Sequence, residues 1–138
     1  MWRRRREVDL LDTDEMNRFF ERLDRLNQAQ LLSMRAAWYS TSRDAHADAW
    51  TTVRAVAARN GLTKEIDRVR SKALGWVTRG TNAIPYQLND DYTWQQVKNE
   101  AGEAIVDAAL AISLGSRLDA PTHGLLIEPW LRATGGEE

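Results

Sequence analysis

The chain has no cysteine, which removes disulfides, thiol nucleophiles and thiolate metal ligands together. It has only 3 prolines and 8 glycines in 138 residues, so few positions break a helix by themselves. No apolar run approaches the roughly 18–20 residues that a membrane span requires. No h-region follows the N-terminal arginines, so a secretory signal is not expected. Charge of one sign is missing too. With 19 basic and 20 acidic residues the net charge is -1, too small for a field that would draw nucleic acid or an anionic membrane. The sequence also lacks a Gly-rich phosphate loop, a nucleophile elbow and a Ser-His-Asp arrangement. Neither nucleic acid nor membrane is therefore expected as a partner, and the expected location is cytoplasmic.

What is present favours helices. Alanine is abundant, 43% of the residues are hydrophobic and 28% are charged, as in an ordinary folded protein. The length suits one domain. The expectation is a soluble all-α bundle of five or six helices over residues 1–138, with 1–11 a leader and 134–138 a frayed tail. In the leader, Trp2 precedes an arginine run (3–6) diluted at once by Glu7, Asp9 and Asp12. Asp12-x-x-Glu15 reads as a capping box, and Met16, Phe19, Phe20, Leu23 and Leu26 follow as a stripe at helical spacing. The first helix is expected to end near Leu26 and Asn27-x-x-Gln30 reads as a second cap, although propensity alone does not exclude one helix across 13–41. Thr41-x-x-Asp44 marks a third start, and Ala45, Ala49, Trp50, Val53, Val56 and Ala57 give the next apolar face. Asn60-Gly61 is a strong stop. Thr63 is placed to cap a helix whose face is Ile66, Val69, Ala73, Trp76 and Val77, ending at Gly80.

Residues 80–92 have no helical period, and Pro85 turns Ile84 away from helix. Such a connection reads as a strap anchored by Ile84, Tyr86 and Leu88, or as a site, since loops often carry function. Thr93-x-x-Gln96 is read as the cap of a central helix over about 94–118. Asp119 to Gly124 reads as a turn. The apolar stretch 125–131 is expected to dock on the central helix.

The central helix carries the chemistry of interest. Ala104, Ala108, Ala111 and Gly115 form a small-residue groove on one side. On the other, Gln96, Glu100, Glu103 and Asp107 line up, and the line continues as Leu110, Leu114 and Leu118. Glu103 and Asp107 lie one turn apart and repel by roughly 0.2–0.5 kcal/mol when solvated. The plain expectation is a solvated face with Asp107 at its rim. If the pair is buried it needs an arginine, a shared proton or a divalent cation to compensate. Glu103-Ala-Ile-Val-Asp107 is superficially similar to the second acidic motif of the all-α nucleotide pyrophosphohydrolases, but it has one residue more. Their Glu-Glu-x-x-Glu motif does not occur, so no residue is carried over. In Asp44-Ala-His46-Ala-Asp48 the two acids share a helical face while His46 points away, towards Ala49, Trp50 and Val53.

Two functional expectations follow. The first is a helical module acting through self-association or a protein partner, with Trp130, Leu126 and Leu131 as interface candidates, supported by the groove, the 6 tryptophans and the apolar tail. The second is an enzyme that binds a small ligand or depends on a metal, with Asp107, Glu103, Glu100, Tyr86 and Tyr92 as ligand-binding candidates around the 80–92 loop. No cofactor is expected under the first. Under the second, Glu103 and Asp107 would be the ligands of a divalent metal.

Overall fold

The computed structural model describes residues 13–135, and these form six α-helices and two short 3-10 segments. The helices are α1 (Thr13–Leu23), α2 (Gln28–Tyr39), α3 (Arg43–Arg59), α4 (Thr63–Gly80), α5 (Asp91–Leu114) and α6 (Ala120–Thr134). The expected all-α bundle around one central helix is thus observed. None of the described helices is long and apolar enough to cross a membrane.

The region 13–41 is two helices, because Asn27 caps α2 with both halves of a capping box: its side chain accepts from Gln30 N–H while Gln30 returns to Asn27 N–H, each at 2.9 Å. Other starts differ from expectation. Asp12 lies outside the described residues, as do residues 1–11. Ser42, not Thr41, caps α3 by accepting from Ala45 N–H. Thr63 is already helical, after Leu62, which makes no side-chain cap. The central helix begins at Asp91 because Asp90, rather than Thr93, takes the cap: its carboxylate accepts from Tyr92 N–H at 3.0 Å and from the Thr93 hydroxyl at 2.7 Å. The expected turn over 119–124 is instead the first turn of α6. Asp119 accepts from Thr122 N–H at 3.0 Å, and Pro121 sits where a helix needs no N–H. At the other end, Thr134 is buried and helical, not frayed, and Gly135 closes α6 in the left-handed region at φ 71°.

The connection is a strap, shorter than the expected 80–92 because Gly80 still belongs to α4 and Asp91 already to α5. Thr81–Ala83 is a 3-10 turn, Ile84 is extended ahead of Pro85 and buried in the core, and Leu88 packs against the core from outside. Tyr86 stacks on Trp94 with centroids 4.8 Å apart.

Helix α5 packs against α1, α2, α4 and α6, while α6 reaches across to α2 and α3. Every residue from Ala104 to Ala111 is buried, as a helix surrounded on all sides requires. The alanine groove is therefore filled by the chain's own helices. Gly102 allows a close approach of α4: a Cβ there would lie 2.7 Å from Val77 Cγ1. The backbones of α3 and α5 do not pack as closely as those of the pairs named above, and His46 of α3 approaches α5 through its side chain. The residue of α5 that it meets is Asp107.

Candidate functional site

Asp107 is only 2% exposed, in the middle of the most buried run of the chain. The expectation of a solvated rim is therefore corrected: the polar face of α5 ends at Glu103, one turn earlier, which is exposed. The physical reason is that α2 and α3 cover Asp107 with two indoles and an imidazole. Desolvation raises its carboxyl from the ordinary 3.8 to about 8, and the Glu103 charge adds to the rise. Hydrogen bonding from the Trp38 and Trp50 side chains works in the opposite direction. At neutral pH the group thus holds its proton. Among the described residues its Oδ1 has no hydrogen-bond partner.

The partner that the α3 register brings to it is His46. Ser42 starts α3 at a phase that turns Ala49 and Val53 into the core, and His46 lies on the same side. Its Nδ1 is 3.7 Å from Asp107 Oδ2, too long for a hydrogen bond, and is buried without another partner among the described residues. Its Nε2 lies 3.3 Å from the Trp38 carbonyl oxygen. A carbonyl only accepts, so Nε2 carries a proton, and in the neutral ring Nδ1 is then an acceptor facing a protonated carboxyl. The ring also packs on the Trp38 indole, with centroids 5.0 Å apart. His46 Nδ1 thus faces the Asp107 carboxyl across 3.7 Å, with no hydrogen bond joining them.

Above this pair opens a cleft of about 760 Å³, lined by Trp38, Tyr39, Thr41, Arg43, His46, Asn99, Glu100 and Glu103. The carboxylate line thus divides into three different groups. Glu100 is neutralised: Arg35 Nε donates to one oxygen at 2.5 Å, and the Tyr39 hydroxyl donates to the other. That bond raises the Tyr39 hydroxyl above its ordinary value, and the Arg35 guanidinium lies 5.5 Å from the same ring. Glu103 makes no ion pair or hydrogen bond among the described residues and stands at the mouth. Asp107 lies behind, protonated.

Of the candidates named from sequence, the structure brings Glu100, Glu103 and Asp107 to this site. Tyr86 and Tyr92 do not line it. Tyr86 is tied to Trp94 and donates its hydroxyl to Asp91, and Tyr92 is 70% exposed. The wall opposite α5 comes from the junction of α2 and α3, not from the 80–92 strap. Trp38, Tyr39, Arg43 and the pairing of His46 are what sequence reasoning missed. Among the described residues no group of three or more His, Asp or Glu could hold a metal ion. Of the interface candidates, Trp130 and Leu126 are buried in the chain's own core, Trp130 against Phe19 at 4.6 Å, and Leu131 is 37% exposed. Compared with protein-family models, curated proteins and solved structures, the chain matches none.

Proposed function

We propose that the chain binds a small organic ammonium ion in the cleft between α2, α3 and α5, with His46 and Asp107 as the acid–base centre of that site. The observation that carries this proposal is the buried, incompletely satisfied Asp107–His46 pair directly behind an open, aromatic-walled cleft. A core position holding an under-satisfied ionisable pair beneath a cleft is where function is sought first. Glu103 supplies a carboxylate without an ion pair among the described residues and Trp38 an aromatic wall, the combination that attracts ammonium groups. Arg43, also without an ion pair among the described residues, suits an anionic substituent on the same ligand.

The chemistry follows from charge. A cation seated against Glu103 offsets the repulsion between Glu103 and Asp107, which favours ionisation of Asp107. Binding and proton release are then coupled, with His46 as the route between carboxyl and cleft. This branch takes up the ligand-binding expectation from sequence. The association branch retains Leu131 as an exposed residue, and light scattering over a range of concentrations reads it out.

Choline is a suitable probe because its charge does not titrate. Its affinity is expected to rise with pH as Asp107 becomes ionisable, to lose that dependence in Asp107→Asn, and to fall in Glu103→Gln. Glycine betaine adds a carboxylate for Arg43 and is expected to bind more tightly. Imidazole and indole NMR signals of His46 and Trp38 that stay fixed with both probes at millimolar concentration would sink the proposal.

A further inference from the structure

A second cavity lies on the far side of the bundle, and we infer that it is a binding site for a small apolar carboxylic acid. It measures about 290 Å³ and opens between α1, the end of α5 and α6. Its walls are Phe19, Ile112, Ile127, Trp130 and Leu131, and its polar groups are Glu15, Arg18, Arg22 and His123.

The arrangement follows from helix geometry. Glu15, Arg18, Phe19 and Arg22 are spaced three and four residues apart on α1 and so share one face. That face places Phe19 on Trp130 and leaves the two guanidiniums beside the apolar space. Arg18 Nη2 is 3.6 Å from Glu15 Oε2. Arg22 differs: its Nε is buried and has no hydrogen-bond partner, and the residue makes no ion pair among the described residues. A buried guanidinium N–H without an acceptor is costly, and the acceptor that best fits its fork is a carboxylate. The apolar walls supply the rest of the recognition. The volume is about twice the roughly 150 Å³ that holds benzene in an engineered apolar cavity, which suits one ring with a short arm or a medium-length alkyl chain. An apolar body and a single carboxylate together match the walls and Arg22. His123 adds a second donor at the rim.

Octanoate, with octanol and octylammonium as controls, tests this by calorimetric titration of the full chain. Octanoate is expected to bind more tightly than either control. Arg22→Gln should weaken octanoate about tenfold or more, the ordinary weight of a hydrogen bond to a charged group, and leave octanol unchanged. Ile112→Trp, which fills the cavity from the opposite wall, should abolish binding of both, with the helical circular dichroism of each variant checked against the parent. Equal affinity for octanoate and octanol would overturn the inference, because the cavity would then be only an apolar void. Octanoate binding that survives both substitutions would overturn it as well, by placing the ligand elsewhere. So would the absence of any heat or melting shift with octanoate.

Discussion

Replacing Asp107 by Asn keeps the shape of the side chain and removes its titration. The folded carboxyl sits at about 8 against an ordinary 3.8, so folding raises its proton affinity. A raised group contributes stability that is fully present below the unfolded value and is lost as pH climbs towards the folded one, because the unfolded chain ionises first. Between those limits the slope is about -1.4 kcal/mol per pH unit, and the whole interval corresponds to a ceiling of about 6 kcal/mol. The charged and titratable groups facing Asp107 are His46 from α3 and Glu103 from its own helix. Denaturant unfolding of both proteins, followed by tryptophan fluorescence from about pH 5 to about pH 7.5, should show the wild type losing roughly 3 kcal/mol relative to Asp107→Asn. Taking the difference between the two proteins cancels the titration of every other group. Parallel curves would refute the reasoning. A difference of opposite sign would mean that the carboxylate is ionised in the folded state and paired with an imidazolium.

Three further outcomes test the packing around the site. Gly102→Ala improves helix propensity by about 1 kcal/mol but drives a Cβ to 2.7 Å from Val77 Cγ1. A net loss of about 1–2 kcal/mol is expected, and adding Val77→Ala should recover most of it in thermal unfolding. Gly115 ends α5 at φ 54° and ψ -130°, with nothing within 4 Å of where a Cβ would stand. Gly115→Ala should thus cost about 1–3 kcal/mol through the backbone alone, and no second substitution in a neighbouring side chain should relieve it. Asn27→Ala removes the capping box of α2 and should lower stability by about 1 kcal/mol, with hydrogen exchange fastest in the first turn of that helix.

Much of the fold is legible because helices announce themselves locally. The period of α1, the Asn27 box and the Asn60-Gly61 stop are each complete within a few residues, and all appear in the structure. Expectation and structure part where two capping residues compete. Thr93 has the right spacing to Gln96, yet Asp90 is also a good cap, and its carboxylate engages both Tyr92 N–H and the Thr93 hydroxyl. One more turn of helix results. The start of α6 is ambiguous for a related reason: Asp119 and Pro121 are helix-opening residues as much as turn residues, and Gly124 tips the sequence reading the wrong way.

The site is legible only in halves. That His46 turns away from Asp44 and Asp48 towards the apolar side of α3 follows from the 100° step alone, and so does the place of Asp107 at the end of the carboxylate line. Neither half says that the two meet. Their meeting depends on how α3 and α5 are placed relative to each other, which no local pattern states. The indoles of Trp38 and Trp50, which hydrogen-bond towards Asp107, belong to the cover that reverses its expected state. With small residues at 38 and 50, water would reach the carboxylate and the line would be a solvated face to its end. With indoles there, the acid is closed in, keeps a proton at neutral pH and leaves Oδ1 unpaired. A well-packed apolar side chain at 107 would avoid that cost at no loss to the bundle, since Ala104, Ala108, Leu110 and Ala111 already fill the neighbouring positions with full burial. The acid is therefore not explained by packing. Among its polar neighbours that also line the surface cleft, His46 is the ionisable one packed beside it inside the bundle, and that placement is what an acid–base role requires.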